Sequence, residues 1–330
     1  MTNRDRILRT LNFEPVDRLP VIELASWWDK TLVRWRNEGL PMELQIDYDI
    51  RDYFGLDSHR QCWIPACGAE CPQASGHGMP VISDRADYIR IKPHLYPKNQ
   101  LDTDALRDLS ERQQRGELIV WLSVEGFFWF PRVLFGIEPH LYAFYDHADL
   151  MKEINEDLLE YQLRVIGQFR EVCTPDFMMF TEDMSYNHGS MLSKSQFDEF
   201  MSPYYERIVP KLLDWGIIPF VDTDGDVTIP AEWFTGVGIR GLSPLERMAG
   251  VDISKLRTDH PRLNMIGAFD KTVMHLGEER MRQEFERLLP VMRQGGYIPS
   301  VDHQTPPEVS LKDYRLYIRL LREYCEKAMA

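Results

Sequence analysis

The 330 residues carry a formal net charge of −14, with 44% hydrophobic and 27% charged residues. This balance argues against nucleic acid and anionic membrane surfaces as partners, because both are bound through lysine and arginine patches, and it disfavours a polyanionic substrate. No apolar run nears the roughly 20 residues of a membrane helix, and five cysteines, an odd number, argue against a disulfide framework.

The opening MTNRDRILRTLNFEP holds charges where an export signal needs an apolar segment, which predicts a cytoplasmic location. Residues 3–11 have helical spacing, with Thr2 or Asn3 as N-cap and Pro15 as the stop, giving a lead-in helix. Residues 19–24 (LPVIEL) predict the first strand, and the segment with Trp27, Trp28 and Trp35 predicts a helix closing at Gly39 and Pro41. From about 53 to 100, clustered Gly, Pro and Cys blur the pattern. That stretch is read as the second strand plus an insertion, with a hairpin at 88–91. Cys62, Cys67 and Cys71 lack the C-x2-C spacing of common zinc sites and are read as buried or idle thiols.

Residues 118–124 (LIVWLSV), 177–180 (FMMF), the start of 217–227 (IIPFVDTDGDV), 238–242, 263–268 and 296–301 are short apolar runs that end in polar residues. Helical sequence follows most of them, at about 149–172, 195–215, 278–293 and 311–328. Seven clear strands and one blurred strand, alternating with helices, predict an α/β fold, a (β/α)8 TIM barrel, as one domain over residues 1–330.

Closing such a barrel brings Glu23, Glu125, Glu182, Asp183, Asp222, Asp224, Asp270, Asp302 and His303 to the C-terminal ends of the strands, where barrels keep their chemistry. Carboxylates crowded in a partly buried mouth need protons, a basic partner or a cation. A divalent metal meets that need most simply, and oxygen ligands with one imidazole suit zinc. Individually, Asp183, Asp226 and Glu246 are more often helix caps than catalysts. Trp27, Trp28, Phe127, Phe128, Trp129 and Tyr186 are packing residues in the plainer reading, or the wall of a pocket for an aromatic or otherwise apolar substrate.

The opening NRDRILRTLNFEPVDRLPV, the segment EDMSYNHGSMLSKSQFDEFMSPYYERIVPKLLDWG, and FVDTDGDV, GLSPLERMAGVDI, IGAFDK and GGYIPSVDHQTPPEVS run through nearly the whole chain. In that order they resemble the uroporphyrinogen decarboxylase superfamily. The resemblance implies a (β/α)8 barrel and one of two chemistries: cofactor-free decarboxylation of uroporphyrinogen, or zinc-assisted methyl transfer involving a corrinoid. The decarboxylases' PVWFMRQAGR-like segment is replaced here by LPVIELASWWDKTLVRW, which favours the methyltransferase-like branch. That branch's His-x-Cys-Gly motif appears as Asp222-Thr223-Asp224-Gly225, and its later ligand falls at or beside His303. Both cysteines of the pattern are absent.

The resemblance therefore implies a metal, zinc first, held by Glu182, Asp222, Asp224 and His303. Asp222, Asp224, Tyr186 and His188 are the expected catalytic residues, with Tyr186 or His188 as the expected source of a proton. Trp27, Trp28, Glu125, Phe127, Asn187 and Asp270 are the expected substrate-binding residues. The implied cofactor is a corrinoid on a partner protein, the implied substrate a small methoxylated or methylated compound, and a homodimer stays open. A carboxy-lyase of the decarboxylase type is the alternative, and a binding protein on a retired barrel is the non-enzymatic one.

Overall fold

The computed structural model describes residues 1–98 and 100–330. Seven strands form one sheet in the order β1, β2, β3, β6, β7, β8, β9. They are β1 (His59–Trp63), β2 (Ile119–Glu125), β3 (Phe177–Thr181), β6 (Ile218–Asp222), β7 (Gly241–Ser243), β8 (Asn264–Phe269) and β9 (Tyr297–Val301). Every neighbouring pair is parallel. Two-residue strands β4 (Ser185–Tyr186) and β5 (Gly189–Ser190) pair separately as an antiparallel hairpin after β3.

Parallel strands covered by helices bury both faces, which is why β2 and β9 are buried at every position and read as nearly continuous apolar runs. One face points into a small inner core of Ile22, Ile119, Trp121, Phe177, Met179, Phe220, Ile266 and Ile298. Side chains from β2, β3, β6, β8 and β9 meet there, so the sheet is curled. Trp121 stacks on Phe177 at 5.2 Å between ring centroids, and Phe177 lies 5.3 Å from Phe220. The lead-in helix Asn3–Leu11 is capped by the Thr2 hydroxyl, which accepts from the Asp5 amide, and it adds Ile7 and Leu11 to this core. Burying a large aliphatic or aromatic side chain contributes about 1.5–3 kcal/mol, so the inner core alone is a major stabilising element. The opposite face packs under the helices in the larger core, which includes Phe180, Val221, Leu242 and Phe269.

The eight-stranded ladder expected from the sequence is not what the described residues show: the parallel sheet has seven strands, and the position expected for the first strand has no regular secondary structure. Residues 19–24 form no ladder, because Pro20 has no amide to donate and the Val21 amide donates to the Asp57 carboxylate instead (2.9 Å). The segment nonetheless touches both edges of the sheet. The Asp57 amide donates to the Val21 carbonyl (2.8 Å), the His59 ring bonds the Glu23 carbonyl (3.1 Å), and the Val301 amide reaches the Glu23 carboxylate (3.2 Å). The second-strand expectation resolves to β1, in the blurred stretch. The hairpin expected at 88–91 is instead the end of the helix Arg85–Ile91, started by the Asp84 carboxylate, which accepts from the Asp87 amide. Four alternating residues are too few to outweigh a capped turn. No helix among the described residues is long and apolar enough to cross a membrane.

Candidate functional site

Register places Glu125, Thr181, Asp222 and Ser243 side by side, as consecutive partners across β2, β3, β6 and β7. Just above this row a cavity of about 370 Å³ opens at the C-terminal ends of the strands. Its floor is apolar, made of Trp121, Met179, Ile266 and Val301 with Leu24, and its upper wall carries Asp183, Asp222, Asp224 and His303 beside Trp129. No lysine or arginine lines it among the described residues. Trp121 is fixed from behind: its indole N–H donates to Nδ1 of buried His59 at 3.1 Å. An indole only donates, so Nδ1 accepts and Nε2–H donates to the Glu23 carbonyl. Burial holds this ring neutral, with its pKa pushed down to about 3.

The acidic residues at the strand ends divide into two groups. In the first, each carboxylate is consumed by the protein. Glu182 is fully buried and accepts the amides of Phe127 (2.9 Å), Phe128 (2.7 Å) and Trp129 (3.3 Å) and the Tyr205 hydroxyl. Burial pushes its pKa up to about 7, against the pull of those four donors toward the anion. Gly126 makes the arrangement feasible, because a Cβ there would lie 2.1 Å from the Glu182 carboxyl carbon. Glu23 accepts from Ser300 (2.9 Å), the Val301 amide and Tyr317. Glu125 takes the Ala66 amide at 3.0 Å. Asp302 takes the amides of Arg247 (2.9 Å) and Lys271 (3.2 Å), and Asp270 caps Lys271–Leu276 through the Thr272 amide at 2.8 Å.

The second group lies in or beside the cavity wall. Asp183, at φ +45° just past β3, is held by Arg132 at 2.9 Å. Burial raises its pKa and Arg132 opposes the rise. Asp222 lines the cavity with no hydrogen-bond donor on its carboxylate among the described residues; burial first, then the charges of Asp224 and Asp183, push it up to about 7. Asp224, Glu246 and His303 each place a ligand atom within 4.8 Å of the other two. His303 Nε2 stands 3.4 Å from Asp224 Oδ2, and this contact raises the imidazole pKa against desolvation. Glu246 accepts the Gly225 amide at 3.0 Å. Gly225 sits at φ +82°, where a Cβ would meet the Tyr186 backbone nitrogen at 2.5 Å, so glycine lets this loop pass under the hairpin.

Of the residues expected to hold a metal, Asp224 and His303 meet, with Asp222 beside them in the cavity wall. Glu182 does not join them, because four donors on its two oxygens tie it to the Phe127–Trp129 turn. Glu246, read from sequence as a cap, takes the third place. The expected proton donors Tyr186 and His188 are exposed on the hairpin, their rings 5.7 Å apart, and neither lines the cavity. Asn187 is exposed there too. Trp27 packs in an aromatic cluster with Trp35, Phe54 and Tyr314, Trp28 is exposed ahead of the helix Asp29–Asn37, and Phe127 is buried against Tyr204 and Tyr205. With Glu125 and Asp270 these are structural or surface positions outside the cavity lining. The apolar wall comes from Trp121, Trp129, Met179 and Ile266, of which only Trp129 stands out in the sequence, by following a strand end.

Residues 139–324, more than half of the chain, match the family described as uroporphyrinogen decarboxylase (URO-D). No curated protein matches the sequence. Among solved structures, a methyltransferase from Methanosarcina mazei is similar at 15% identity and a TM-score of 0.67, covering 98% of this chain and 99% of its own. A B12-independent methionine synthase from a Shewanella species shows 13% identity and a TM-score of 0.43 over 70% of this chain and 67% of its own. At 15% identity the likeness to the Methanosarcina structure concerns the fold alone.

Proposed function

Because the chain belongs to the uroporphyrinogen decarboxylase family, we propose that it is a methyltransferase acting on a small methoxylated or methylated compound. The acceptor is a corrinoid carried by a partner protein, and the scaffold is a (β/α)8 barrel completed by residues 19–24. The observation that supports this reading most is the convergence of Asp224, Glu246 and His303 beside a cavity with an apolar floor. Two carboxylates and an imidazole from three separate strand ends form a donor set for zinc or another divalent ion, with Asp222 adjacent. Bound there, the ion supplies a Lewis acid for the heteroatom that loses its methyl group.

The protein's own residues do the rest. Trp121, Met179 and Ile266 hold the carbon body of the substrate by apolar contact and keep water from it. Asp222 has no competing donor and faces the cavity, so it hands a proton to the leaving heteroatom, the role expected from sequence for Tyr186 or His188. Arg132 keeps Asp183 anchored, so this second carboxylate does not compete for the same proton.

Metal analysis of the purified protein and of Asp224→Ala tests the reading. A divalent ion near one per chain in the wild type and loss in the variant supports it; no ion in either refutes it. The partnerless Asp222 carboxylate also suits a carboxy-lyase that protonates or stabilises an electron-rich ring. That second reading requires turnover in chelator without a corrinoid protein.

A further inference from the structure

Lys271 follows β8, and its side chain is only 14% exposed. Its ammonium lies 3.2 Å from Glu246 Oε1 and 3.9 Å from Asp302 Oδ1. Asp302 is fully buried and pinned by the Arg247 and Lys271 amides, so it is a fixed anchor for the lysine. The other oxygen of Glu246 accepts the Gly225 amide, one residue from Asp224. A continuous series, Asp302 to Lys271 to Glu246 to the Gly225 loop, therefore joins the ends of β9, β8, β7 and β6. The function proposed above uses neither Lys271 nor Asp302.

We propose that Lys271 is a positioning and charge-setting residue for the Asp224, Glu246 and His303 site, an inference that rests on the metal reading above. Two carboxylates and a neutral imidazole cancel the charge of a divalent ion, and a cancelled ion is a poor Lewis acid toward a leaving oxygen. The lysine ammonium, 3.2 Å from Glu246 Oε1, offsets the charge of that carboxylate, so the loaded site keeps a net positive charge. The same charge repels the ion, because Coulomb interactions persist over such distances away from bulk water. Reactivity is thus gained at a cost in affinity, the kind of control that residues behind metal ligands exert.

The test is titration of the wild type, Lys271→Met, Lys271→Gln and Lys271→Arg with Co2+, read by calorimetry and by the visible absorption of the bound ion. Melting curves in chelator confirm that each variant is folded. The expected result is Co2+ binding at least tenfold tighter in K271M and K271Q, with K271R close to the wild type, because Arg keeps the charge. Co2+ bound by the wild type but equally or more weakly by folded K271M and K271Q overturns this inference alone. No Co2+ bound by any of the proteins overturns the metal reading and this inference with it.

Discussion

Replacing Glu182 by alanine separates a structural carboxylate from a metal ligand. The substitution leaves four donors without their acceptor: the amides of Phe127, Phe128 and Trp129 and the Tyr205 hydroxyl. Each buried donor left unsatisfied costs roughly 1–3 kcal/mol. Water entering the vacated space recovers part of this, so the low end of the sum applies, about 4 kcal/mol against a typical fold stability of about 5–15 kcal/mol. Glu182→Gln, which retains one acceptor, should lose about half as much.

The Glu182 effect should also depend on pH. Burial raises the folded-state pKa from 4.5 to about 7, so the group's contribution is fully present below the unfolded value and is lost as pH rises through the folded one. The stability difference between wild type and Glu182→Ala should therefore shrink by about 2–3 kcal/mol between about pH 5 and about pH 8.5. Urea unfolding at the two pH values, with Co2+ affinity measured on the folded variant, decides the matter. A loss under about 1 kcal/mol, or a tenfold fall in Co2+ affinity with stability intact, would refute the assignment.

Asp222→Asn should cut methyl transfer by about 100-fold or more while leaving the melting temperature unchanged or higher, because no hydrogen bond is lost; steady-state rates and a thermal melt check both. Gly225→Ala forces a Cβ to within 2.5 Å of the Tyr186 backbone at φ +82°. It should cost about 1–3 kcal/mol and weaken Co2+ binding by displacing Asp224, as seen by denaturation and calorimetry. Trp121→Phe removes the indole donor from His59 Nδ1 and should cost about 1–3 kcal/mol in urea unfolding.

Most of the sheet was readable because strands buried on both faces produce predominantly apolar runs whatever surrounds them; β2, β3, β6, β8 and β9 all follow that rule. β1 was not, because His59, Arg60 and Gln61 interrupt it. Their polarity makes sense only once the neighbours are known: His59 ties Trp121 to the Glu23 carbonyl, and Gln61 bonds Ser123 at 2.8 Å. Residues 19–24 failed in the opposite direction. LPVIEL has strand composition, yet a ladder depends on where each amide points, and a missing donor at Pro20 and a diverted one at Val21 remove the regular pairing.

The site was legible as a set of strand ends and illegible as a set of contacts. From sequence every carboxylate at the rim looks equally in need of a countercharge. What distinguishes Glu182 from Asp224 is the direction of three backbone amides that belong to a turn more than fifty residues away in the chain. Glu246 was passed over for the same reason: it was read as a helix cap, but its carboxylate is shared between Lys271 and the Gly225 amide. Once amides, hydroxyls and Arg132 are assigned, the ring of nine acidic and imidazole groups that seemed to demand a cation contracts to Asp222, Asp224 and His303, and Glu246, from outside that ring, joins them while bonded to Lys271 and the Gly225 amide. A smaller demand is a more specific one. The single ion proposed for that corner would use Asp224, Glu246 and His303 without invoking the buried carboxylates, whereas an ion sought at Glu182 would have to strip four donors from it first.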